Sequence, residues 1–163
     1  MTEFPPLEVI SASLAQAPIL ANLLELYAHD FSEFYDVQLG EDGRFGYPAL
    51  PLYWSEPDRY PLLFKMDGKW AGLALVQKGA GCWDMAEFFV IRGVRRRRIG
   101  TRAAHEVWKL FPGRWQIRVM QANISAQNFW AGAIESFVGV PILPVHFEKG
   151  GVSWSRFSFN CGS

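Results

Sequence analysis

Cysteine is scarce in this 163-residue chain. Cys82 and Cys161 are its only two, and they stand too far apart to suggest metal-ligand spacing or a disulfide framework. The three histidines, His29, His105 and His146, are equally scattered, so no metal site is expected. Net charge is missing too. Sixteen basic residues balance sixteen acidic ones, which removes the overall pull toward nucleic acid or an anionic membrane that a basic protein feels. No run of about 18 apolar residues occurs that could cross a membrane. The opening "MTEFPPLEVISAS" carries an acid and two prolines where a signal peptide has its apolar stretch. The expectation is a soluble cytoplasmic protein with reduced thiols. Hydrophobic residues are abundant at half of the chain, including thirteen Phe, seven Trp and five Tyr. That is enough for one substantial core, so residues 1–163 are expected to form a single domain.

Local patterns divide the chain into alternating elements. "LEVISAS" reads as a first strand, and "PILANLLELYAHDFSEF" sets Ile19, Leu23, Leu26, Tyr27 and Phe31 near helical spacing. Residues 35 to 61 are rich in Gly, Pro, Asp and aromatics, long for a structureless connection, and are expected to hold one short helix and to drape aromatics over a pocket. In "YPLLFKMDGKWAGLALVQKG" the Asp-Gly pair between two apolar runs signals a hairpin. "CWDMAEFFVIRG" reads as a central strand. "IGTRAAHEVWKLF" reads as a helix stopped by Pro-Gly, and "RWQIRVM" as a strand. A further helix follows in "NISAQNFWAGAIESF", where Ser125 could cap it, and two tail strands turn at Gly150-Gly151. The order predicts a single α/β domain with a mixed, mostly antiparallel sheet flanked by helices.

Against this neutral background "RRRRIG", residues 95 to 100, concentrates four positive charges. A nucleic-acid patch, a solvated basic face and a phosphate cradle are the three readings. The cradle needs a sharp turn and the free N–H groups of a helix start. The run has that context, after an apolar strand and before the helix that begins at Ile99. A nucleic-acid function ranks last, because no second basic patch and no clear aromatic platform accompany it. No membrane partner is expected.

The stretch "EFFVIRGVRRRRIGTRAAHEVW" followed by "WQIRVMQANISAQNFW" resembles the GNAT superfamily of acyl-CoA-dependent N-acyltransferases. The likeness covers roughly residues 60 to 137. In that family a Q/R-x-x-G-x-G/A motif wraps the coenzyme A pyrophosphate at a helix N-terminus. Arg95 stands at its first position, Arg96 and Arg97 at the variable sites and Gly100 at the last glycine, while Arg98 replaces the first glycine. Asn123, Ala126 and Phe129 match the family's N-x-x-A-x-x-F-Y segment, and Trp130 stands where that segment has its tyrosine. The resemblance implies a V-shaped opening between two central strands and acetyl-CoA as co-substrate. Its pantetheine arm would meet main-chain groups near Phe89, Val90 and Ile91. Its phosphates would meet Arg95, Arg96, Arg97, Arg98, Ile99, Gly100 and Thr101, with Asn123, Ser125, Asn128 and Phe129 completing the cofactor site.

The implied reaction is direct acetyl transfer to a primary amine of a small molecule or peptide, and it needs a base. Asp84 and Glu87 are the candidates, since a carboxylate among apolar residues has a raised pKa. Regular strand alternation points them to opposite faces. Glu87, nearer the expected cleft, is preferred, and an ion pair with a neighbouring arginine is its alternative role. An indole N–H does not transfer its proton near neutral pH, so Trp130 removes the family's usual acid, leaving water, Ser125 or a tyrosine from the long loop. The acceptor is expected near Tyr27, Phe34 and Tyr35. A non-catalytic acyl-CoA sensor is the second reading, and a homodimer is permitted but not required.

Overall fold

The computed structural model describes residues 6–162, without the side chains of residues 96 and 97. Seven strands form one sheet in the order β1-β2-β3-β4-β5-β7-β6. They are β1 (Leu7–Ser11), β2 (Arg59–Met66), β3 (Lys69–Lys78), β4 (Trp83–Val90), β5 (Gly113–Met120), β6 (Val145–Lys149) and β7 (Val152–Cys161). Every neighbouring pair is antiparallel except β4 with β5. The helices are α1 (Ala17–Phe31), α2 (Leu52–Ser55), α3 (Ile99–Leu110) and α4 (Ile124–Val138). No helix among the described residues is long and apolar enough to cross a membrane.

The hairpin expected at Asp67-Gly68 is a tight two-residue turn. Met66 pairs with Lys69, and both turn residues take positive φ, 53° and 75°, the geometry that matches strand twist. Pro18 opens α1, where a missing N–H is harmless. Its buried stripe is Leu20, Leu23 and Leu24; Leu26, expected to face inward, is exposed. The cap of α4 also differs from expectation. Asn123, two residues before Ser125, accepts a hydrogen bond from the Ala126 N–H at 3.0 Å, satisfying one free donor of the first turn. The first tail strand begins only at Val145, after the prolines of "VPILP".

Two apolar clusters sandwich the sheet. On one face α3 and α4 pack Ile99, Val107, Trp108 and Ile134 against Trp115, Ile117 and Phe157. On the other, α1, α2 and the long loop pack Leu20, Leu24 and Tyr53 against Leu63, Leu73, Leu75 and Phe89. The loop is anchored by Glu25 of α1, whose carboxylate accepts from the N–H groups of Phe45 and Gly46, both at 2.8 Å. Charge-assisted bonds of this kind are stronger than neutral ones. They hold the loop over the sheet face that carries Glu87.

Candidate active site

β4 and β5 pair only at Trp83 with Trp115 and Asp84 with Gln116. Beyond that point they diverge, as expected of the V-shaped opening. Ile91 donates its N–H to the Ala71 carbonyl at 2.8 Å, so the main-chain groups of Phe89 and Ile91 serve the ladder with β3. By alternation Phe88 and Val90 are the residues that turn their main chain toward the opening. This corrects the expectation that Phe89 and Ile91 offer theirs.

Asp84 and Glu87 are also corrected. Val76 stands opposite Met85 and Leu75 opposite Glu87, so Ala86 is an extra residue in β4. Such a bulge cancels the alternation across it. Asp84 pairs with Gln77 and Glu87 with Leu75, two residues on the same side of β3, so both carboxylates face α1, α2 and the long loop. Asp84 is the acid with the ion pair, accepting from Arg118 Nη2 at 2.9 Å. Burial nevertheless raises its pKa against the pull of Arg118. Glu87 is pushed up to about 7 by burial and then by the negative charge of Asp84, with Arg118 opposing. Tyr27, Tyr47 and Tyr53 surround it closely enough for its charge to raise their own pKa values beyond what burial does.

The opening leads into a cavity of about 510 Å³, within the range of small-ligand sites. Its walls bring together Tyr27 and Phe34 from the acceptor prediction, and Phe89, Val90, Arg95, Arg98, Gly100, Thr101, Asn123, Ser125 and Phe129 from the cofactor prediction. Six predicted residues lie off these walls, among them Asp84 and Glu87, which stand on the α1 and α2 side of the sheet. Ile99 is wholly buried in the core, Tyr35 and Asn128 are exposed, and Ile91 is occupied as described. The side chains of Arg96 and Arg97 lie outside the described residues.

At one end of the cavity the chain makes a 3-10 turn over Arg92–Arg97 and enters α3 through Arg98, whose φ is 56° and ψ 26°. The residue in the family's glycine place takes the left-handed conformation glycine would take, at a cost of about 1 kcal/mol. Right-handed then left-handed backbone gathers successive N–H groups into a concave anion nest, completed by the free donors of the first helical turn. Gly100 does not make the turn. A Cβ there would stand 2.9 Å from Cε1 of Phe129, so its bareness lets α3 approach the Phe129 ring.

Sequence reasoning missed Asp30. This α1 residue accepts from Arg92 Nη2 and from Arg95 Nη2, the latter at 2.9 Å. Arg95 also donates from Nε to the Val90 carbonyl at 2.8 Å. Burial works the other way, but the bonds and charges of Arg92 and Arg95 hold the Asp30 carboxyl below its ordinary pKa. Arg95 therefore braces the loop to α1 and β4, while Arg98 has no acid partner among the described residues.

The sequence signature of the Acetyltransferase (GNAT) family matches residues 20–133, and the chain belongs to that family of acyltransferases. A comparison with curated protein sequences found no match. Among solved structures, an acetyltransferase from Thermus thermophilus superposes with a TM-score of 0.71 at 16% identity, over 98% of this chain and 99% of that one. PaiA N-acetyltransferase from Thermoplasma acidophilum, in complex with coenzyme A, gives 0.66 at 12% identity over 94% and 99%. Spermidine N-acetyltransferase from Vibrio cholerae, with CoA and spermine, gives 0.61 at 15% over 95% of each chain. These likenesses concern the fold.

Proposed function

We propose that the protein transfers an acetyl group from acetyl-CoA directly to a primary amine of a small molecule or peptide, with Glu87 as the base. The observation that carries this reading is Glu87 itself. It is a carboxylate with a pKa of about 7, on a face lined by three tyrosines and next to the point where β4 and β5 part. Near neutral pH such a group is substantially ionised yet basic enough to take a proton from an ammonium.

The residues present fit acetyl-CoA. Main-chain groups of Phe88 and the N–H of Val90 face the opening, the Arg98 nest and the start of α3 suit a diphosphate, and Gly100 keeps the wall free of a Cβ. Bound there, acetyl-CoA supplies the acetyl group as a thioester. Glu87 takes a proton from the acceptor's ammonium, and the freed lone pair forms the carbon–nitrogen bond as the carbon–sulfur bond breaks and the nitrogen's second proton leaves to water. The nest and Arg98 hold the phosphate end, so that nucleophile and acyl carbon meet in one geometry, an advantage worth roughly 7 kcal/mol or more. Trp130 donates a hydrogen bond at most. Tyr27, Thr101 and Ser125 are the hydroxyl-bearing side chains on the cavity wall, and burial keeps Tyr27 protonated. The departing thiolate takes its proton from one of them or from water.

Both cysteines are free, which suits action in the reducing cytoplasm. A non-catalytic acyl-CoA sensor is the reading that Trp130 favours. Acetyl-CoA raises the melting temperature under either reading, whereas thiol release with an amine panel occurs only under the first.

A further inference from the structure

Among the described residues, the sheet beyond the opening has one face that joins neither apolar cluster. Trp115, Ile117 and Val119 of β5 and Phe157 and Phe159 of β7 join the cluster under α3 and α4. Alternation sends Gln116, Arg118, Trp154, Arg156 and Ser158 to the opposite side. That is the side of α1 and α2, but the apolar cluster beneath those helices takes no residue from β5, β6 or β7.

On this face Arg118 stands directly across the ladder from Arg156. Like charges so placed destabilise a strand pair. Asp84 offsets one of them through Arg118, and the other Asp84 oxygen, Oδ1, is buried without a hydrogen-bond partner. Arg156 has no ion pair among the described residues. Its guanidinium lies 5.7 Å from the centre of the Phe147 ring, which is itself stacked on Trp154. The cation is thus held on the sheet by aromatic contact. Asp84, Arg118 and Arg156 together leave one positive charge on this face, and Arg118 is near enough to Glu87 to oppose the rise in its pKa.

We propose that the acceptor amine also carries a carboxylate, bound by Arg156 and Arg118 while its nitrogen faces Glu87. This rests on the acetyl-transfer reading above. A monoanion matches the single surplus charge, and guanidinium forks match a carboxylate's two oxygens. A phosphate dianion would overcompensate next to Asp84, and a polyamine would be repelled by the same arginines.

Thiol release is compared for amino acids and their α-carboxamides, with an aminoalkyl phosphate and a polyamine alongside. The acids are expected to exceed their amides about tenfold or more in kcat/KM, mostly through KM. Arg156→Gln is expected to collapse that ratio toward one, and Arg156→Lys to keep part of it. Equal rates for acid and amide overturn the proposal, as does preference for the phosphate or polyamine, or a preference untouched by Arg156→Gln. A parallel measurement needs no turnover: N-acetylated amino acids should raise the melting temperature of the wild type and not of Arg156→Gln, while their amides do neither. Absence of that shift overturns the carboxylate site. A carboxylate-specific shift without thiol release supports the site and sinks the acetyl-transfer reading instead. Salt-sensitive retention of RNA that Arg156→Gln removes would assign the face to nucleic acid and also overturn the proposal.

Discussion

Glu87 lies on the same face of β4 as Asp84, because Ala86 is inserted between paired positions of the ladder. Two carboxylates on one half-buried face raise each other's cost of ionisation. The Glu87 pKa moves from an ordinary 4.5 to about 7. The folded protein therefore binds a proton there that the unfolded chain has released between these values. Its contribution is intact below pH 4.5 and is lost as pH rises through 7, amounting to about 3 kcal/mol above both values. Glu87→Gln, which cannot ionise, should raise the melting temperature at pH 8 and leave it nearly unchanged at pH 4. Denaturation at the two pH values checks this.

Arg98 stands in a left-handed backbone that favours glycine and turns its side chain to the cavity wall. Arg98→Gly should stabilise the fold by about 1 kcal/mol while weakening acetyl-CoA binding, because a guanidinium without an acid partner is lost. The signature is a higher melting temperature of the free protein together with a higher KM for acetyl-CoA and a shallower salt dependence.

Gly100 leaves no room for a methyl group. The Phe129 ring that a Cβ would strike is itself packed on Phe88 and Trp130, so it has little freedom to retreat. Gly100→Ala should destabilise by about 1 kcal/mol, overpacking outweighing the helix preference of alanine. Adding Phe129→Leu should recover most of the loss, a coupling that a double-mutant cycle measures.

Asp30 ties α1 to the loop that precedes α3. Asp30→Asn keeps the shape but removes the charge that holds Arg92 and Arg95. The KM for acetyl-CoA should change several-fold, with kcat within about twofold, and Asp30→Glu should restore part of the effect.

The parts of this architecture that could be read in the sequence are those with local causes. Asp67-Gly68 demands its hairpin, the apolar run of β4 its central position, and Pro112-Gly113 the end of α3. The turn at Arg95–Gly100 was foreseeable from a strand, a basic run and a helix start. What escaped has non-local causes. The bulge at Ala86 needs no special residue, so nothing in "WDMAEFF" announces that Asp84 and Glu87 share a face. Asp30 meets Arg92 and Arg95 across 62 and 65 residues of chain, and only the packing of α1 beside the opening brings them together. The role of Gly100 depends on where a ring from α4 falls. The face carrying Arg118 and Arg156 emerges only once β7 is seen inserted between β5 and β6.

The central claim is that Glu87 is the base of an acetyl transfer. Acetyl-CoA-dependent thiol release across pH 5 to 9, on wild type and Glu87→Gln with an amine panel, tests it most directly. The account predicts a wild-type rate that rises with pH through a limb near 7, as Glu87 loses its proton. It predicts a variant slower by about a hundredfold or more in kcat, with that limb gone. An identical limb in the variant, or acetyl-CoA binding with no thiol release from the wild type on any amine, would contradict it.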